Sequence, residues 1–268
     1  MRTMLEIIDV SKTFNPGTVN AKQALDHLNL KLNDGDFVTV IGGNGAGKST
    51  ILNMIAGVYP IDSGVIKLNN KDISLLPEYK RARYIGRVFQ DPMMGTAADM
   101  EIEENLAMAI RRGKRRGLAW GVGKDEPELF VKAVKRFGLG LEDRMHSKVG
   151  LLSGGQRQAL TLLMATMKQP ELLLLDEHTA ALDPKTAKKV LTLTTEIVSE
   201  QNLTTLMVTH NMKDAINTGN RIIMMYEGRI IFDARDEEKH NLKVEDLLKK
   251  FEQASGEEFD NDRMILTK

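Results

Sequence analysis

Residues 41–50 read IGGNGAGKST, four glycines in ten positions followed by Lys48, Ser49 and Thr50, directly after the apolar run Phe37 to Ile41. Glycine costs stability inside regular structure, so such a cluster marks backbone that turns sharply or lies close to another group. Gly42, Gly47, Lys48 and Ser49 match G-x-x-x-x-G-K-[ST] between a strand and a helix, the context that gives the motif its meaning. The amides of Gly42, Gly43, Asn44, Gly45, Ala46 and Gly47, with the helix start at Lys48, Ser49 and Thr50, would present donors and partial positive charge to phosphate oxygens. Lys48 adds a point charge for the β and γ phosphates. Ser49 offers a hydroxyl to Mg²⁺, which prefers oxygen ligands. The expected ligand is a Mg²⁺-bound nucleoside triphosphate.

Such a site needs a carboxylate at the end of a neighbouring buried strand. The run Leu172 to Leu175 ends in Asp176, followed at once by Glu177. Two adjacent acids leaving an apolar strand are costly unless metal or chemistry employs them. Asp176 is expected in the metal shell. Glu177 is expected to polarise the attacking water as a general base.

The elements that must position these groups are legible in outline. Leu5 to Val10 and Leu25 to Leu32 read as strands separated by the turn Asn15-Pro16-Gly17, and Asp34-Gly35 turns the chain into a strand over Asp36 to Gly42. Helical spacing over Lys48 to Val58 places Ile51, Leu52 and Ile55 on one face. After a short strand, Val65 to Leu68, the stretch from about Thr96 to Lys168 turns mostly helical. Strands resume at Leu172 to Leu175, Thr204 to Val208, Ile222 to Tyr226 and Ile230 to Phe232. This order predicts an α/β fold with a mostly parallel sheet core, an antiparallel β subdomain formed by the residues before about 35, and an inserted helical subdomain over about 96–168. One domain is expected over residues 1–235. Residues 236–268 should form a C-terminal helix and a tail, Gly256 to Lys268, that is polar, acidic and poorly ordered.

At 268 residues, with 42% hydrophobic and 28% charged residues, the chain can bury a real core. Lys plus Arg and Asp plus Glu both number 37, a balance that argues against a dedicated nucleic-acid binder. With no cysteine, disulfides, zinc-thiolate sites and thiol catalysis are excluded. The N-terminus lacks the apolar core of a signal peptide, and no apolar run reaches the roughly 18 residues of a membrane span. The chain is expected to be soluble, or held to a membrane only through a partner.

Leu152-Ser153-Gly154-Gly155-Gln156 resembles the signature sequence of ABC ATPases, the nucleotide-binding subunits of ABC transporters. Gln90 after the apolar strand Arg87-Val88-Phe89, Ala181-Leu182-Asp183 beyond the acid pair, and His210 after Leu206 to Thr209 stand in that family's order. The resemblance covers residues 14–210. It implies ATP and Mg²⁺ as cofactors and a head-to-tail dimer of two copies, each ATP lying between the glycine loop of one copy and the signature helix of the other. Ser153, Gly154, Gly155 and Gln156 begin a helix, Gln156 to Met167, whose N-terminus is itself suited to an anion. By the resemblance, Gln90 would contact metal and water, His210 would reach the γ-phosphate, Asp183 would lie along the dimer seam and Phe14 would stack on adenine.

The stretch Asp-Glu-His-Thr-Ala-Ala-Leu-Asp departs from the family, which usually has proline or alanine where His178 stands. His178 is expected to cap the turn, with tuning of the presumed water as the alternative. This variant resembles bacterial import ATPases tied to small-molecule or amino-acid permeases. The implied partners are a membrane permease and a solute-binding protein, with no nucleic acid, and the implied location is the cytoplasmic face of the membrane. Two rivals are a soluble ABC ATPase acting on ribosomes or nucleic acid, which usually carries paired cassettes or long coiled coils, and a nucleotide-binding module without hydrolysis, against which Glu177 and His210 argue. The basic run Arg111 to Arg116, followed by Trp120, reads equally as a solvated helix end or as an edge near anionic lipid headgroups.

Overall fold

The computed structural model describes residues 2–114 and 121–256. Arg115, Arg116 and Trp120, and the tail beyond Gly256, lie outside the described residues. The chain divides into two compact units, one made of Met1–Arg81 with Asn202–Lys268 and the other of Ala82–Gln201.

The first unit begins with two long strands, β1 (Thr3–Phe14) and β2 (Lys22–Asn33), paired antiparallel so that Phe14 faces Lys22 and Leu5 faces Leu32. They are followed by β3 (Phe37–Gly42), α1 (Lys48–Ala56), β4 (Ser63–Leu68), β5 (Lys71–Asp72) and the single-turn α2 (Glu78–Arg81). The antiparallel sheet has the order β2-β1-β4-β5 and so is not confined to residues before 35. Buried Ile66 and Leu68 of β4 register against Ile7 and Leu5 of β1, which recruits a segment lying well beyond the glycine loop. β4 turns into β5 through Asn69 and Asn70, both at positive φ (51° and 63°), the pairing that a tight hairpin turn requires.

The second unit holds β6 (Ile85–Val88), α3 (Ile102–Ile110), α4 (Glu126–Lys135), α5 (Gly154–Thr166), β7 (Leu172–Asp176) and α6 (Pro184–Glu200). β6 and β7 run parallel with Val88 opposite Leu175, and the four leucines of β7 are fully buried. α6 is amphipathic, with Val190, Thr194, Ile197 and Val198 buried. Its N-terminus is fixed by Pro184 in the first turn and by Asp183, whose side chain accepts from the Thr186 amide at 3.1 Å.

The chain then returns to the first unit through β8 (Thr205–Val208), α7 (Met212–Asn217), β9 (Arg221–Tyr226), β10 (Arg229–Arg235), α8 (Asp236–His240) and α9 (Val244–Ser255). β3 runs parallel to both β8 and β9, with Val40 opposite Val208 and Ile223. A parallel strand covered on both faces is mostly apolar, and every residue of β3 is buried, including Thr39, whose hydroxyl lies 3.0 Å from the Ala215 carbonyl. Ile41, Met212, Met224, Leu247 and Phe251 form one cluster, with the Phe251 ring edge-on to Tyr226 at 5.4 Å. The C-terminal region is thereby tied to the sheet as far as Ser255 by two helices where one was expected.

α5 and α6 approach closely at Gly155, where an added Cβ would lie 2.1 Å from the Thr186 methyl carbon. Gly155→Ala should therefore destabilise the protein by about 1–3 kcal/mol, the usual result of forcing a methyl into a packed contact. Denaturant unfolding of Gly155→Ala combined with Thr186→Ser should show most of that loss recovered, because serine removes the opposing methyl. An unrecovered loss would place the constraint elsewhere.

Candidate functional site

In the first unit, the turn from β3 into α1 carries the glycine loop. Gly42, Gly45 and Gly47 have φ of 152°, 79° and 101°, values at which other residues are strained. Two of these glycines also face close backbone, since a Cβ on Gly42 would lie 2.3 Å from the Met225 carbonyl oxygen and one on Gly47 would lie 2.6 Å from that of Ala24. α1 starts at Lys48 with Gly47 as its cap residue and no capping side chain, leaving its terminus to the loop. Lys48 is 7% exposed, and its Nζ donates to the carbonyls of Gly42 at 2.8 Å and Gly43 at 3.0 Å. The ammonium is therefore held against the loop's own carbonyls. Asn44, Gly45 and Ser49 are exposed.

Phe14, at the end of β1, meets Tyr59 edge-on at 5.2 Å, with the Lys12 ammonium 5.8 Å from its ring centre. The strand register brings Lys22 opposite Phe14, and a Cβ on Gly45 would lie 2.8 Å from Lys22 Nζ. Lys22 is thus a second cation at the loop that the sequence reading did not single out. Its only signal was the length of the β1–β2 hairpin. His210 follows β8 and precedes α7, whose first turn is capped by the Asn211 side chain accepting from the amides of Lys213 and Asp214. Burial raises the Asp214 carboxyl above its ordinary range, and the charge of His210 opposes that shift.

The second unit carries the remaining residues. Asp176 ends β7 with Arg87 Nη2 3.7 Å from its carboxylate. The Arg87 guanidinium also lies over the Phe89 ring, 4.5 Å from its centre. Gln90 follows β6 and is exposed. Glu177 has φ 43°, a left-handed backbone that costs a residue with a side chain about 1–3 kcal/mol. That conformation breaks β7 and starts a turn closed by the Ala180 amide on the Glu177 carbonyl at 3.0 Å. Ser153 caps α5 reciprocally: its Oγ accepts from the Gln156 amide at 3.3 Å, and its own amide donates to Gln156 Oε1 at 3.1 Å. Gln156 Nε2 donates in turn to the Leu139 carbonyl at 3.0 Å. Ser153, Gln156 and Asp183 thus all define helix starts.

His178 does not cap the turn. Its side chain is buried against α6, with Nε2 3.0 Å from Thr194 Oγ1. Thr194 already donates its hydroxyl proton to the Val190 carbonyl at 2.9 Å, so the imidazole donates from Nε2. Burial pushes its pKa down to about 4.

The loop fits a polyphosphate on its chemistry, with a helix terminus that no side chain caps and a buried ammonium beside a backbone that takes positive φ at three glycines. Ser49, Gln90 and Asp176 offer oxygen donors of the kind a hard divalent cation takes. A family model described as ABC transporter matches residues 25–180. The chain belongs to this family. It is 45% identical over 251 residues to a tyrosine transport ATP-binding protein of Clostridioides difficile, covering 94% of this chain and 100% of that one. A spermidine/putrescine import ATP-binding protein PotA of Bacteroides fragilis is 34% identical over 229 residues, covering 85% of this chain and 46% of that one. Among solved structures, the ADP conformation of MJ1267, an ATP-binding cassette of an ABC transporter, superposes with a TM-score of 0.77 at 28% identity, covering 96% of this chain and 100% of that one. A dimeric post-hydrolysis state of the cassette MJ0796 bound to ADP and Pi gives 0.74 at 30% identity, covering 87% and 98%. The fold is that of a P-loop NTPase of the ABC ATPase type, and the ABC protein binds ATP and hydrolyses it.

The buried His178 makes a pH prediction. The unfolded chain takes up a proton near pH 6.5 that the folded chain refuses until about pH 4, so this stability is complete above 6.5 and lost as pH falls through that interval. At roughly 1.4 kcal/mol per pKa unit the full loss is about 3 kcal/mol. Denaturant unfolding at pH 7 and pH 4 should show the wild type losing about that much more than His178→Gln. Equal losses would mean that the imidazole is not buried neutral.

Proposed function

We propose that this chain is the ATP-hydrolysing subunit of an ABC import system that moves a small solute of the amino-acid class through a separate membrane permease. The observation that carries the solute class is the match along the whole length of the tyrosine transport protein. No helix among the described residues is long and apolar enough to cross a membrane, which fits a subunit docked on a permease at the cytoplasmic face. A solute-binding protein would complete the system.

In this reading, Gly42 to Gly47 and the start of α1 bind the phosphates, Lys48 holds the β and γ positions, and Lys22 adds charge at the rim. Phe14 covers the adenine. Ser49, Gln90 and Asp176 would hold Mg²⁺, which when bound neutralises charge on the phosphates. Glu177, in the left-handed turn that ends β7, takes the proton of the attacking water in this reading. His210 contacts the γ-phosphate and reports its loss. Two copies pair head to tail, so that Ser153, Gly154 and Gly155 of one, steadied by Gln156, close on the phosphates bound to the other, with Asp183 along the seam. The dimeric MJ0796 structure, bound to ADP and Pi, supports the pairing of two copies by likeness.

Glu177→Gln keeps the shape of the side chain and removes the proton acceptor. Steady-state phosphate release should fall at least a hundredfold, while fluorescent-nucleotide titration gives near wild-type affinity. Turnover within a few fold of wild type would remove Glu177 from the water-activating role.

A further inference from the structure

Outside the nucleotide site, the second unit brings together three side chains that the ATPase reading does not use. Glu101 and Glu103 stand at the start of α3, and His146 lies on the turn that precedes residues 149–151. His146 Nδ1 is 3.1 Å from Glu101 Oε2 and 3.5 Å from Glu103 Oε1, and one ligand atom from each residue lies within 4.8 Å of the others.

The two segments are fixed by backbone rather than by these side chains. Glu101 and Lys148 form an isolated antiparallel bridge, the Ile102 amide donates to the Ser147 carbonyl at 3.2 Å, and the Glu103 amide donates to the Met145 carbonyl at 3.2 Å. Glu101 is further held because its amide donates to Glu104 Oε2 at 2.8 Å. The three donors would therefore stay near one another if the hydrogen bonds between them were exchanged for bonds to an ion.

Their spacing suits a particular kind of ion. Tetrahedral zinc binds imidazole nitrogen and carboxylate oxygen at about 2.0–2.2 Å, which sets neighbouring ligand atoms roughly 3.4 Å apart. The two distances from Nδ1 bracket that edge. One imidazole with two carboxylates is a donor set for zinc and its transition-metal neighbours, whereas Mg²⁺ and Ca²⁺ take oxygen alone. His146 is 78% exposed at its side chain and Glu103 only 15%, so the site is open on the histidine side and walled on the other, leaving a fourth position for water.

We propose that Glu101, Glu103 and His146 form a binding site for one divalent transition-metal ion of the zinc class, clamping the start of α3 to the turn that leads toward the Ser153 cap. The site is separate from the nucleotide-binding residues and does not depend on their assignment.

The test is calorimetric titration of the full, untagged chain with Zn²⁺ in millimolar Mg²⁺, which occupies hard oxygen sites. The wild type should bind one Zn²⁺ that is lost, or weakened at least tenfold, in both His146→Ala and Glu103→Gln. Zn²⁺ should also raise the thermal unfolding midpoint of the wild type and leave that of the two variants unmoved. Absence of Zn²⁺ binding by the wild type, or equal binding by His146→Ala, would overturn the proposal.

Discussion

The loop between β3 and α1 is fixed from both sides by the protein's own backbone. Gly42 passes so near the Met225 carbonyl, and Gly47 so near that of Ala24, that neither could carry a Cβ without moving a strand. These contacts come from β9 and β2, the neighbours that also define the parallel core and the antiparallel sheet. The backbone proposed to bind phosphate is thus a consequence of strand packing, set before any ligand arrives. Such preorganisation means that binding does not have to meet the entropy of ordering the loop. Lys48 belongs to the same device, since the carbonyls of Gly42 and Gly43 determine where its ammonium sits.

The second unit shows a similar economy of parts. Ser153 and Gln156 close the start of α5, Asp183 closes the start of α6, and Gly155 lets the two helices approach. Residues that the family resemblance links to nucleotide and partner copy therefore also define the helix starts that would present them. Substitutions at these positions mix two effects, and a functional loss at Gly155 or Asp183 needs a folding control before it is assigned to the site.

Much of this was legible in the sequence because the signals were local. The glycine loop with Lys48 and Ser49, the apolar run ending in Asp176 and Glu177, and the continuous apolar strand β3 each declare themselves within ten residues or fewer. What stayed hidden depended on partners far along the chain. β4 joins the antiparallel sheet only through its register with β1, and Lys22 nears Gly45 only through the register of the β1–β2 hairpin. β5 is two residues long, too short for periodicity. His178 looked like a polar turn residue, and its buried hydroxyl partner, Thr194, lies 16 residues away on α6.

The central claim is that each chain supplies two different phosphate-binding ends and that a working site takes one from each of two copies. The most direct measurement mixes two inactive variants, Lys48→Ala and Ser153→Arg, each first shown to be folded by circular dichroism and thermal unfolding. In a mixed pair one site loses both ends, while the other combines an intact glycine loop with an intact signature helix. ATP hydrolysis by the mixture, at high protein concentration or on the permease, should rise several-fold above that of either variant alone. A mixture no more active than the average of its parts would contradict a site shared between copies.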